Sequence, residues 1–282
     1  MQKPARAHLV LLPMIACLVL FCSPVDVAGQ APEDTGHRRD KPADATELAA
    51  IAARGRAIAA YDAAAWHATD EVQALHPKEG LVRMYIGRQT TAGWLVAFGK
   101  MNDAKDAFLL AFETTPSADP LHPTVMSHDP AVEDRGEWFK VARAFDTGRD
   151  AFGKASRPYN IVVLPVPDKS WFVYVYPAAT TNDVFPTGGD VRYRVSGDGT
   201  KILDTHRMHA SILEFKMDLT QKMSFHTAFL DDAPEDTDVA NALMMGGTPA
   251  IIATKKFVYR IAADGTPTYV DTTEAFMKEL KK

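Results

Sequence analysis

Residues 44–75 carry Leu48, Ile51, Ile58, Tyr61, Ala65, Trp66, Val72 and Leu75 near helical spacing, with no proline among them. That run predicts one long helix, and everything after it must supply the surface on which the helix lies. Asp44 followed by Glu47 has the form of a capping box, in which the first side chain bonds a free amide and the second reaches back. His76-Pro77 and Gly80 end the run, because proline disfavours helix in the residue before it.

The pattern then changes to short apolar runs. Residues 81–88, 93–100 and 107–114 are divided by Thr90-Thr91-Ala92-Gly93 and Asn102-Asp103, which predicts an antiparallel meander. Residues 115–135, with Pro116, Pro120, Pro123, Pro130, His122 and His128, lack periodicity and read as a long loop. Trp138, Val141, Ala142, Phe145 and Phe152 mark a second helix, ending near Ser156.

From Tyr159 onward the chain is strand-rich. Residues 161–166 and 171–176 flank Pro167-Asp168-Lys169, and 190–195 and 201–206 flank Gly197-Asp198-Gly199; both read as hairpins. Strands are expected at 211–217, 223–229, 250–254, 257–261 and 268–270, with helices at 237–245 and 272–281. Strands and helices are grouped rather than strictly alternating. The expected class is therefore α+β: mostly antiparallel sheets with a long N-terminal helix, a central helix and a short C-terminal helix. The expected organisation is 1–29 signal peptide, 30–43 polar disordered linker, 44–156 helix, meander and helix, and 157–282 strand-rich. The last two either divide near Ser156 or form one continuous domain.

The start has the three-part export pattern. Lys3 and Arg6 precede an apolar stretch from Leu9 to Phe21 that is too short to favour a spanning helix, and Val27-Ala28-Gly29 offers small residues for cleavage. The expected location is periplasmic or secreted, with a retained anchor or a lipid on Cys17 or Cys22 as alternatives. Those two cysteines are the only ones. A processed chain would therefore have no disulfide, no thiolate metal site and no cysteine nucleophile. The formal charge is −5, and loss of Lys3, Arg6 and Asp26 with the leader makes it −6. Mild acidity argues against a nucleic-acid partner, which needs a concentrated basic face. No later run approaches the ~20 apolar residues of a membrane span. The expected partner is a protein or a small-molecule ligand.

Candidate chemistry is sparse. Walker, nucleophile-elbow, H-E-x-x-H and Rossmann patterns are all missing. In the long helix, Asp62, Trp66, His67, Asp70 and Glu71 form a polar-aromatic cluster, a candidate binding edge in which Glu71, one turn on, is placed to hold His67. Its alternative is a packed tryptophan beside a solvated face. His206 and His209, three apart near a strand end, point to opposite faces if the strand continues, so they are not expected to share a metal.

The region from His226 is the most informative. It reads His226-Thr227-Ala228, then Pro234, then Thr237-Asp238-Val239 at the start of an expected helix. Over residues 222–270 the order strand, loop, helix, strand, hairpin resembles the second half of the JAMM-type metalloprotease domain, the isopeptidase and deubiquitinase-like family. The resemblance implies a zinc site of His-x-His and Ser-x-x-Asp, with an upstream glutamate as general base. His226 matches the first ligand position and Asp238 the last. Ala228 stands at the second histidine position, Thr237 is adjacent to Asp238, and no glutamate occurs between Glu137 and Glu214. Two ligands hold an ion weakly, so the resemblance implies an inactive relative unless His209, Glu214 or Asp232 rebuilds the site. The plain alternative makes Thr237 or Asp238 a helix N-cap and His226 a satisfied strand histidine. The resulting expectation is a non-catalytic binding or structural module without a cofactor. Its alternative is a zinc-dependent hydrolase using His226 and Asp238.

Overall fold

A computed structural model of the protein describes residues 38–115, 121–181, 184–216 and 222–281. The expected export segment and most of the 30–43 linker lie outside the described residues. Helix α1 (Ala45–Ala74) begins where the sequence places it: the Asp44 side chain accepts the Glu47 N–H at 2.9 Å. The Glu47 carboxylate does not reach back; it takes a 2.6 Å ion pair from Arg39.

Strands β1 (Met84–Thr90), β2 (Gly93–Met101), β3 (Phe108–Thr115) and β4 (Thr124–Asp134) form one antiparallel sheet in that order. β4 corrects the expected loop over 115–135. It is an edge strand, where proline is tolerated because no ladder partner needs its missing N–H. Its burial repeats about every third residue rather than every second, and the register shifts opposite Leu110 and Phe112. Both features hide it from an alternation test. Helix α2 (Glu137–Phe152) follows and stops at Gly153, short of Ser156.

The second sheet has the order β5 (Tyr159–Pro165), β6 (Trp171–Pro177), β8 (Val191–Val195), β9 (Ile202–Arg207), again antiparallel. Strand β7 (Val184–Gly188), which the sequence reading lacks, pairs with β10 (Ile212–Lys216) in a two-stranded ribbon. The last unit runs β11 (Ser224–Thr227), α3 (Asp236–Met244), β12 (Ala250–Ala253), β13 (Phe257–Ile261), β14 (Pro267–Thr272) and α4 (Thr273–Glu279). β11 and β12 are parallel, joined across α3, and the other pairings are antiparallel. The fold is α+β.

Three apolar clusters tie these parts together. Ile86 and Phe108 of the first sheet pack with Trp138 and Phe145 of α2 and with Val163 and Val173 of the second sheet, so one core crosses Ser156. Leu48 and Ile51 of α1 pack with Val239, Ile252 and Tyr259, and Ile58 and Tyr61 pack with Tyr174, Tyr176 and Ala240. Helix α1 thus presses on α3. The approach is close because of Gly55: a Cβ there would sit 2.5 Å from the Val239 Cβ and 2.6 Å from the Asp236 carbonyl oxygen. Among the described residues, no helix is long and apolar enough to cross a membrane.

Candidate metal centre

The first turn of α3 is built from carboxylates, and each is held differently. Glu235, not Thr237 or Asp238, is the N-cap residue, which corrects the expected cap. Asp238 sits at the third helical position instead, and its Oδ2 accepts the Glu235 N–H at 2.8 Å. Asp236 is fixed by Arg54 at 2.8 Å, Arg192 at 2.6 Å and the Tyr174 hydroxyl at 2.8 Å. These bonds leave Asp238 Oδ1 facing away from the helix end.

Two histidines meet that oxygen. His226, on β11, places Nε2 at 2.7 Å from Asp238 Oδ1, and His209, in the bend after β9, places Nε2 at 3.1 Å from the same atom. The rings lie 5.8 Å apart at 67°. His209 is 9% exposed and Asp238 2%. His209 Nε2 is buried yet makes no aligned hydrogen bond, although it is near the carboxylate. Its other nitrogen, Nδ1, is 2.8 Å from Asp190 Oδ1, and Asp190 Oδ2 accepts the Thr237 hydroxyl at 2.5 Å. The Asp190 carbonyl also accepts the Met208 N–H at 3.1 Å, which draws the bend against the start of β8. Gly188 allows this approach: at φ +76° a Cβ there would meet the Ser211 carbonyl at 2.4 Å.

Burial pulls the His209 pKa down, but the carboxylates of Asp190 and Asp238 outweigh it and hold the ring well above its ordinary value. Burial pushes Asp238 up, and the two imidazoles outweigh that and hold it well below the usual carboxylate range. His209 is thus set between two carboxylates, those of Asp190 and Asp238.

The donor set fits a zinc-like ion: two imidazole nitrogens and one carboxylate oxygen, with the second nitrogen of His209 held by a carboxylate. That second contact is the usual way to orient a metal-bound histidine. Bonds of about 2.0–2.2 Å at tetrahedral angles need donor atoms roughly 3.3–3.5 Å apart. The 2.7 and 3.1 Å separations therefore need only a small opening. Beside the rings lies a cleft of about 230 Å³, lined also by Ser211, Leu213 and Phe229.

The sequence candidates divide. His226, Asp238 and His209 come together. Glu214, on β10, instead pairs with Arg157 at 3.0 Å, and Asp232 is buried beneath Arg38 at 3.3 Å. His206 turns to Glu235 at 2.9 Å, away from His209's cluster. On α1, Trp66 is 52% exposed and stacks on His67 with centroids 5.0 Å apart. Asp70 is exposed, Glu71 pairs with His122 at 3.3 Å rather than His67, and Asp62 accepts the Tyr176 hydroxyl at 2.8 Å. Sequence reading missed Asp190 and took Thr237 only as a helix cap; their contacts, to His209 and to Asp190, span 19 and 47 residues of chain. Comparison with known proteins finds no matching family model, no matching curated protein and no matching solved structure.

Proposed function

We propose that this chain is an exported metal-binding protein whose centre, His209, His226 and Asp238, takes a zinc-like divalent ion and through it a ligand. The observation that carries the reading is the buried Nε2 of His209, which lacks an aligned hydrogen bond and points at the carboxylate that His226 also meets. Leaving a buried polar atom unmatched costs ~1–3 kcal/mol, and a cation among the three donors removes that cost. Three protein ligands leave a fourth position. The cleft supplies access to it, with Leu213 and Phe229 for apolar contact and the Ser211 hydroxyl for a polar one. The ligand class this fits is a small molecule or chain end with a metal-binding oxygen beside an apolar group. Among the described residues lining the cleft, Asp238 is the sole carboxylate. A ligating carboxylate is poorly placed to remove a proton as well, which favours binding over catalysis.

A second reading, metal-dependent hydrolysis, is favoured by the three-ligand set with an open side and by the likeness of residues 222–270 to the JAMM-type domain. Zinc in such a site supplies Lewis-acid polarisation of a carbonyl or phosphoryl oxygen. In this reading Asp190 and Thr237 keep His209 oriented, while Leu213 and Phe229 position the apolar part of the substrate.

Metal analysis after chelator-free purification tests both readings. A tightly held zinc equivalent is expected in the wild type and should vanish in His226→Ala and His209→Ala. A folded protein whose zinc is indifferent to both substitutions has no such centre. Cleavage of peptide or ester substrates by the zinc-loaded protein, abolished by Asp238→Asn, would replace the binding reading with the hydrolytic one.

A further inference from the structure

The other histidine of the pair lies in a site of its own. His206 Nε2 is 2.9 and 3.0 Å from the two oxygens of Glu235, and donor atoms of His206, Asp231 and Glu235 lie within 4.8 Å of one another. The three side chains are 11%, 8% and 7% exposed. They line a separate cleft of about 200 Å³, which shares no lining residue with the cleft beside His209.

The charges around this cleft are arranged selectively. Arg39 pairs with Glu47 and Asp231, while Arg54 and Arg192 both pair with Asp236. Three guanidinium groups thus border the cleft, yet among the described residues the ion pair of Glu235 is with His206. Arg39 contacts only Oδ1 of Asp231, through Nε at 3.1 Å, and the Ala233 N–H bonds the same oxygen at 3.1 Å. Both bonds fall on Oδ1 and fix the carboxylate. The buried Glu235 carboxylate beside the cleft is held by the His206 imidazole and by the capping box at the start of α3.

We propose that His206, Asp231 and Glu235 form a second site for a first-row divalent cation such as zinc or manganese, independent of His209, His226 and Asp238. One imidazole nitrogen and two carboxylate oxygens suit such ions, and a doubly charged ion neutralises two carboxylates. The two centres lie on either end of one segment: Glu235 caps α3 and Asp238 lies three residues on, its carboxylate bonded to the Glu235 N–H.

Zinc and manganese titrations of the full chain by calorimetry, with metal-to-protein ratios from dialysis, test this. The wild type is expected to take two equivalents, His226→Ala one, and His206→Ala one. Asp231→Asn, which leaves the His206–Glu235 pair and the helix cap in place, should weaken the second equivalent by at least about tenfold. A wild-type stoichiometry of one that survives His206→Ala and Asp231→Asn would overturn this proposal and leave the first centre standing. The converse, one equivalent lost in Asp231→Asn and indifferent to His226→Ala, would sustain this site while removing the first. Circular dichroism of each variant separates loss of a ligand from loss of the fold.

Discussion

Two groups of candidate residues stood out in the sequence: Trp66, His67, Asp70 and Glu71 on α1, and the pair His226 and Asp238, which His209 joins at the start of α3. In the folded chain they are opposites. The first is solvated, with Trp66 half exposed over His67 and Glu71 paired to a surface histidine. The second is buried, and in it His209 is held well above its ordinary value and Asp238 well below its own. Water competes for every contact in the first cluster and for almost none in the second. Polarity along a chain therefore says little about chemistry until burial decides whether a charge must find a partner or an ion.

The sharpest way to break this contrast is Asp238→Ala. It leaves His209 charged and buried with one carboxylate instead of two, and loss of one partner from a buried pair costs about 3–5 kcal/mol. Thermal unfolding should show that loss together with loss of the zinc equivalent. A stable variant that keeps its zinc would place the α3 cluster with the α1 cluster, as a solvated ornament. Gly55→Ala comes next. Its Cβ would press on Val239 and the Asp236 carbonyl, so overpacking of about 1–3 kcal/mol is expected, together with weaker zinc binding as α3 shifts. Unchanged affinity would show that the helix contact does not position Asp238.

Zinc affinity should also fall with pH. The His209 pKa is raised in the metal-free protein, so its proton is present below that raised value and must be expelled by the ion. Affinity should therefore drop about tenfold per pH unit as pH falls through that range, for one displaced proton. A flat profile would remove His209 from the ligand set. The smallest effects belong to the solvated cluster. Trp66→Ala and Glu71→Ala should each change stability by less than about 0.5 kcal/mol and leave zinc uptake unchanged. A larger loss in either would mean that this face of α1 is covered in the working protein.

Local signals were legible where local physics dominates. The α1 start at Asp44, the meander strands and the hairpin turns emerged from periodicity and turn chemistry, because each rests on residues a few positions apart. β4 escaped because an edge strand needs neither alternation nor an unbroken N–H ladder. β7 escaped because its partner, β10, is a later strand. Asp232, the candidate nearest to His226 in the chain after Ala228, was drawn off by Arg38, a pairing 194 residues long that no spacing rule contains.

Sequence by itself determined the α+β class, the long first helix and the pair His226 and Asp238 as residues to watch, since these follow from patterns within one strand or one turn. Only the tertiary structure decided that His209 joins them, that Asp190 and Thr237 hold it there, and that His206 serves a different cleft. The reason is that a coordination shell is a matter of distances of a few ångströms between side chains carried on separate elements. Those distances are set by how α1, α3 and the strands pack, not by the order in which the residues occur.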